Sequence, residues 1–156
     1  MRDQPHIYVD ADACPVKTEA VKVADRHDIA VTFVANGWLQ APRGRRVRTQ
    51  VVSGAFDAAD DWIVAQVKQG DIVVTADIPL ASRCLKLGAR VIGPAGKPFT
   101  DDNIGNALAT RELMADLRAY GVGGGPPPFD ARDHSRFLEA LELAVRAASR
   151  DRINVS

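Results

Sequence analysis

Cysteine and histidine are scarce in this chain, at 2 and 3 of 156 residues, and no Cys-x-x-Cys or His-x-x-His spacing links Cys14, Cys84, His6, His27 and His134. That removes the ligand sets of structural zinc sites and any disulfide framework. No apolar stretch approaches the roughly 20 residues that span a bilayer, and no basic segment followed by a long apolar one precedes the first apolar run. A cytoplasmic location is expected. Net charge is absent too, since 20 Lys and Arg balance 20 Asp and Glu. Overall charge therefore implies neither a nucleic acid nor a membrane, and any such partner must be met by a local patch.

What is present suits one core. With 46% hydrophobic and 26% charged residues, the chain is long enough to bury a single core and too short to favour two, so one domain over 1–156 is expected. Ile7 to Val9 is an apolar run, followed over 15–27 by Val16, Ala20, Val23 and Ala24 at helical spacing, with Pro15 suited to the first helical position. Residues 29–35 and 47–52 are β-branched runs. Phe56, Ala59, Ile63 and Val67 line one helical face up to Gly70. A buried strand over 71–75, a helix over 79–87 and a short strand at Val91-Ile92 follow. Apolar strands of this unalternating kind, separated by helices, predict an α/β fold with a mostly parallel sheet of about five strands covered on both faces.

The remainder is helical. Residues 103–120 carry apolar side chains on more than one side, Ile104 and Leu108 against Leu113, Leu117 and Tyr120, as expected of a helix that is bent or packed between two surfaces. The Gly/Pro-rich segment 121–129 is neither helix nor central strand. Beyond it, Phe137, Leu138, Leu141 and Val145 form the stripe of a C-terminal helix over 130–149, docked on its own core.

Sites in open α/β sheets form beyond the carboxyl ends of the strands. Here those positions are acidic: Asp10 and Asp12 after the first strand and Asp77 after the fourth, with Asn36 and Ser53 after the second and third. Asp57, Asp60 and Asp61 open the second helix at offsets of three and four. Carboxylates gathered on one edge repel and raise one another's pKa unless a cation is shared among them. Oxygen ligands without thiolate or imidazole suit Mg²⁺ or Mn²⁺. Such an ion neutralises phosphate oxygens and activates water, so a metal-dependent phosphoryl-transfer site is expected, with Asp10 and Asp77 catalytic and Asp10, Asp12, Asp57, Asp61 and Asp77 as candidate ligands.

Structural roles compete with that assignment. Acidic residues in a first helical turn stabilise the macrodipole, which accounts equally for Asp57, Asp60 and Asp61. Asp12 and Asp77 each stand where a helix cap is needed. Capping explains Asp10 poorly, because it lies directly on the strand end. Asp101 and Asp102 are expected in a turn that caps the helix beginning at Asn103.

Arg43, Arg45, Arg46 and Arg48 crowd one Gly-containing loop and strand start, either as phosphate contacts to a polynucleotide or as a solvated basic loop. Lys17, in a first helical turn, either contacts phosphate or offsets Asp10 and Asp12. Trp38 either stacks a base or packs, and packing is the expectation. Cys14 has no histidine placed as its base and is not expected to act as a nucleophile.

Val9-Asp10-Ala11-Asp12-Ala13-Cys14-Pro15-Val16-Lys17, Val74-Thr75-Ala76-Asp77-Ile78-Pro79-Leu80-Ala81, Gly93-Pro94, Phe99-Thr100 with Asn103-Ile104-Gly105, and Gly124-Gly125-Pro126 together resemble the bacterial YaiI/YqxD family over nearly the whole chain. That family is regarded as similar to PIN-domain nucleases and their NYN-type relatives. The resemblance implies a Rossmann-like, PIN-like sheet with a divalent metal held by acidic residues for RNA cleavage. Asp10 would be the first-strand aspartate of that pattern and Asp77 the one after the fourth strand. Asp57, Asp60 or Asp61 would fill the position on the second helix, where PIN sites commonly carry glutamate.

Two rivals remain. Asp10-Ala11-Asp12, the strand ending in Thr75, Lys97 and Asp101-Asp102 imitate the order of haloacid-dehalogenase-type phosphatases, with Asp10 as nucleophile. Alternatively, the scaffold serves as a non-catalytic RNA-binding or assembly module. Single-stranded RNA is the expected partner of the nuclease reading, and the oligomeric state is left open.

Overall fold

The computed structural model describes residues 4–12, 14–53, 57–121 and 129–154, with side chains left out at 118 and 152–154. Phe56 and all but the ends of the Gly/Pro-rich segment 121–129 lie outside the described residues, as does Gly124-Gly125-Pro126.

Six strands form one sheet in the order β3-β2-β1-β4-β5-β6. They are β1 (Ile7–Asp10), β2 (Val31–Ala35), β3 (Val47–Val51), β4 (Ile72–Val74), β5 (Arg90–Ile92) and β6 (Pro98–Phe99). The first five are parallel, and β6 returns antiparallel along β5. β6 exceeds the five strands expected, because two residues led by a proline carry no alternation to detect.

The helices are α1 (Lys17–His27), α2 (Ala58–Gln66), α3 (Ile78–Lys86), α4 (Asp101–Ala119) and α5 (Ala131–Asn154). Alternation along the strands divides the core between two faces. Ile7, Val9, Val31, Phe33, Ile72 and Val74 pack with Val23 of α1 and Phe137, Leu141 and Val145 of α5. Tyr8, Val34, Val73 and Val91 pack with Ile63 of α2, Leu80 and Cys84 of α3 and, at its margin, Ile104 of α4. This is the expected mostly parallel α/β fold covered on both faces. Phe137, Leu141 and Val145 are fully buried, each contributing about 1.5–3 kcal/mol of apolar transfer to the docking of α5. Glu142 reinforces it, accepting a hydrogen bond from Arg26 of α1 at 2.8 Å and lying 2.8 Å from His27.

Several boundaries differ from the sequence expectations, among them the end of α2, which stops at Gln66, short of Val67 and Gly70. α1 begins at Lys17 with Val16 as its N-cap, so Pro15 precedes the cap instead of occupying the first helical position. α5 extends to Asn154 instead of ending at 149. Its start is fixed by Asp130, whose Oδ1 accepts from the amides of Arg132 and Asp133 while Asp133 Oδ2 accepts from the Asp130 amide. Asp101 and Asp102 lie inside the first turn of α4, not before it. The cap there is Thr100, in a reciprocal pair with Asn103: Thr100 Oγ1 accepts from the Asn103 amide and Asn103 Oδ1 from the Thr100 amide.

The second half of α4 departs from expectation as well. Leu113 and Tyr120 are exposed instead of packed between surfaces, since α4 meets chiefly α3 and does so through its first turns. Between β5 and β6, Gly96 adopts φ +89°, and a Cβ there would come within 2.6 Å of the Arg136 backbone. Only glycine lets this turn close against α5.

Candidate functional site

Parallel register puts the residues after β1, β2 and β4 on one rim. Asp10 is the last residue of β1, level with Val34, and alternation aims it with Tyr8 toward the face that carries α2 and α3. Thr75, buried directly after β4, donates its hydroxyl proton to Asp10 Oδ2 at 2.8 Å. The same Oγ1 accepts the Asp77 amide at 2.9 Å, and Asp77 Oδ1 caps α3 by accepting the Leu80 amide at 3.0 Å. Thr75 thus joins the two aspartates singled out from the sequence and is itself a site residue. Its place in the motif Val74-Thr75-Ala76-Asp77 was visible; its hydrogen bond across strands was not.

Asp12 is not the cap of α1 and makes a contact the sequence did not suggest. Its Oδ2 accepts both the Asn36 amide and the Asn36 side-chain nitrogen, each at 3.2 Å, while α1 has no side-chain cap. It ties the segment after β1 to the segment after β2.

The second helix supplies Asp60. Burial first, and then the charges of Asp77, Asp10 and Asp57, push its carboxyl up to about 6 against the pull of Arg83. Burial also raises Asp10, with the charges of Asp77 and Asp12 adding to it and the Thr75 hydrogen bond opposing. Asp61, preferred from the sequence, is turned away and bonded to Arg83 at 2.9 Å in an exposed pair. Asp57 is the exposed N-cap of α2 and accepts there only through its backbone oxygen, from the Asp61 amide. Position around the helix explains the exchange: Ala59 and Ile63 mark the buried stripe, with Asp60 roughly 80° from its centre and Asp61 roughly 180°, at 100° per residue.

Of the basic candidates, Lys17 opens α1 on this rim, whereas the arginines are not brought to it. Arg43, Arg45 and Arg46 precede β3, and the Arg46 carbonyl accepts from the Val31 amide at the start of β2. A loop entering a parallel strand lies at the rim where strands begin, opposite the one where Asp10 ends its strand. Arg46 Nη1 bonds there to the carbonyl of Asp28, the residue that closes α1. Arg48, within β3, is level with Thr32 and exposed. Lys17 donates to the Cys14 carbonyl at 3.1 Å, holding the β1–α1 loop closed. Lys97, on the β5–β6 turn, does reach the carboxyl rim and lines a cavity of about 510 Å³ with Ile78 and Asn103. Trp38, expected to pack, is 85% exposed, two residues beyond Asn36. Cys14 is buried, and burial chiefly raises its thiol pKa, consistent with an inert side chain.

The rim suits a hard cation in ligand type and charge. In posture it is incomplete, because Asp10, Asp12 and Asp77 each have an oxygen engaged by the protein. Among the described residues no three His, Cys, Asp or Glu groups stand close enough to share one ion. Holding a cation requires side-chain rotation, with Asp10, Asp60 and Asp77 the nearest set by their mutual charge.

Comparison with known proteins agrees with the motifs. The profile described as "Uncharacterized BCR, YaiI/YqxD family" matches residues 8–147. A UPF0178 protein of Rhodopseudomonas palustris is 56% identical over 147 residues, covering 94% of this chain and 93% of its own. One from Rhodospirillum rubrum is 55% identical over 148 residues, covering 94% and 99%. Another from Bradyrhizobium diazoefficiens is 51% identical over 158 residues, covering 100% and 95%. No solved structure matches the chain. On the family profile and these relatives alike, the chain belongs to the YaiI/YqxD family.

Proposed function

We propose that the carboxyl rim binds Mg²⁺ or Mn²⁺ and hydrolyses phosphodiester bonds, with single-stranded RNA as the substrate class. The observation that carries this reading is the gathering of Asp10, Asp60 and Asp77 at the sheet edge, where burial first and then the neighbouring charges push the Asp60 carboxyl up to about 6. A fold does not keep mutually repelling carboxylates at its sheet edge for stability, and perturbed carboxyls of this kind concentrate at working sites. A divalent cation there would neutralise the carboxylates and phosphate oxygens and make water a better nucleophile near neutral pH. Asp10 and Asp77 hold the cation, Asp60 completes its shell, and Thr75 orients Asp10. The exposed Trp38 ring offers a stacking surface for an unpaired base, and the resemblance to PIN-type nucleases points the same way.

Calorimetric titration of the purified protein with Mn²⁺, beside cleavage of a labelled single-stranded RNA, tests the assignment. Binding and Mn²⁺-dependent cleavage are expected in the parent and lost in Asp10→Asn and Asp77→Asn, with the fold retained. Absence of binding at millimolar cation overturns it. RNA binding that needs no cation and survives Asp10→Asn identifies a non-catalytic module instead.

One contact favours a second reading. The Thr75 hydroxyl on Asp10, with Lys97 on the same rim, fits phosphoryl transfer to the Asp10 carboxylate, and a phosphate trapped covalently on Asp10 would establish it.

A further inference from the structure

The two edges of the sheet are finished differently. β6 closes one edge with two residues, the first a proline. β3 forms the other with five residues, Val47-Arg48-Thr49-Gln50-Val51, none of them buried. Such an edge invites pairing unless something covers it.

Its free backbone groups can be assigned. The Val31 amide bonds to the Arg46 carbonyl, and the Val52 amide bonds to the Ala35 carbonyl. With Val31 level with Val47 and Ala35 with Val51, the even-numbered residues turn their N–H and C=O groups toward β2. Val47, Thr49 and Val51 direct theirs outward, with the Val51 carbonyl meeting only the neighbouring Gln50 side-chain nitrogen, at a long 3.4 Å, among the described residues.

We propose that this edge pairs antiparallel with the same edge of a second copy, on a twofold axis through Thr49. Val47 then lies opposite the partner's Val51, Thr49 opposite the partner's Thr49, and Arg48 opposite the partner's Gln50. Outward-directed residues meet only one another, so every free N–H and C=O of the edge is satisfied in about six backbone hydrogen bonds. A shift of one residue would set outward groups against inward ones. No like charges face across the axis, and Val51, 52% exposed, is covered by the partner's Val47.

Charge gives a second reason for a copy of this chain as the occupant. Arg43, Arg45 and Arg46 lie before one end of β3, and Asp57, Asp60 and Asp61 follow the other. Antiparallel pairing runs the partner's arginine loop past Val52 and Ser53 toward the acidic start of α2, and the twofold repeats that match. The loop that stands on the wrong rim within its own chain is carried to the carboxyl rim of its neighbour. On the hydrolytic reading those arginines would serve phosphate there, but the pairing does not depend on that reading and is tested without it.

The full chain is examined by sedimentation equilibrium from micromolar to hundreds of micromolar. A monomer–dimer equilibrium is expected, and Thr49→Pro should shift it to monomer with unchanged circular dichroism, since the Thr49 amide takes no part in the β2 ladder and an outward edge position tolerates proline. Oxidised Thr49→Cys should cross-link to dimer, because a Cα separation of about 5.5 Å in such a pair falls within disulfide reach and Cys14 and Cys84 are buried. Gln50→Cys, facing Arg48 instead of its own counterpart, should not. A monomer at every concentration overturns the proposal, as does a dimer that Thr49→Pro leaves intact. Should Thr49→Pro fail to fold, cross-linking of Thr49→Cys no faster than that of Gln50→Cys overturns it.

Discussion

Asp71 and Asp10 stand at opposite rims of the sheet, beside neighbouring strands, and use the same carboxylate in opposite ways. Asp71 is fully buried just before β4, where Oδ1 accepts the His6 amide at 3.0 Å and Oδ2 the Lys68 amide at 2.9 Å. Each of its oxygens satisfies a backbone donor at the entry to a strand. Asp10 is only partly buried and has one protein donor among the described residues, Thr75, and burial first, then the facing carboxylates, raise its pKa. The two carboxylates differ in their surroundings as well as in depth. Backbone donors fix the Asp71 carboxylate in place, whereas Asp10 faces like charges.

The largest expected effect lies at the amino rim. Asp71→Ala strands two backbone donors at the core boundary, so a loss of about 2–4 kcal/mol is expected in urea denaturation. Asp10→Asn should change stability by less than about 1 kcal/mol, because the amide oxygen still accepts from Thr75 and a desolvated charge is removed. Equal losses at the two positions would erase the distinction between the rims.

A smaller effect has a definite pH signature. Asp60 has its folded pKa raised to about 6 from an unfolded value of 3.8. The folded protein therefore holds this proton more tightly than the unfolded chain. The resulting stability is fully present below pH 3.8, declines as pH rises through the folded pKa near 6, and is absent above it. Melting temperatures of the parent and Asp60→Asn should thus converge in acid and separate toward neutrality. The variant should be more stable at pH 7.5 by about 1 kcal/mol once solvent screening is allowed for. Millimolar Mn²⁺ should close the gap by stabilising the parent alone. A difference independent of pH would separate Asp60 from the acidic cluster.

Much of this arrangement was legible because buried parallel strands are written as uninterrupted apolar runs. Ile7 to Val9 and Ile72 to Val74 fix two strand ends, and with them Asp10 and Asp77. The Asp60–Asp61 choice was also encoded, in the Ala59–Ile63 stripe, but spacing from Asp57 alone treats offsets of three and four as one side of the helix. Placing the arginine loop needed only its position before a parallel strand, which sends it to the amino rim whatever its chemistry suggests. The bond from Asp12 to Asn36 was not legible, because it joins two strand ends through side chains that carry no periodic signal. Nor was β6, whose pairing depends on how Gly96 lets the chain turn against α5.

The smallest effect probes the amino rim again. Arg46 is exposed, and its guanidinium donates to the Asp28 carbonyl at 2.9 Å. Asp28 itself adopts φ 52°, a left-handed conformation that closes α1 and leaves its carbonyl to the guanidinium. Arg46→Ala should cost about 0.5–1 kcal/mol in urea denaturation, as expected for a solvated hydrogen bond at a helix C-terminus. In the monomer it should leave the Mn²⁺ isotherm unchanged, because nothing from this loop reaches Asp10, Asp60 or Asp77. A weakened isotherm in monomeric Arg46→Ala would mean that the rims are coupled through the sheet, and the contrast between them would have to be redrawn.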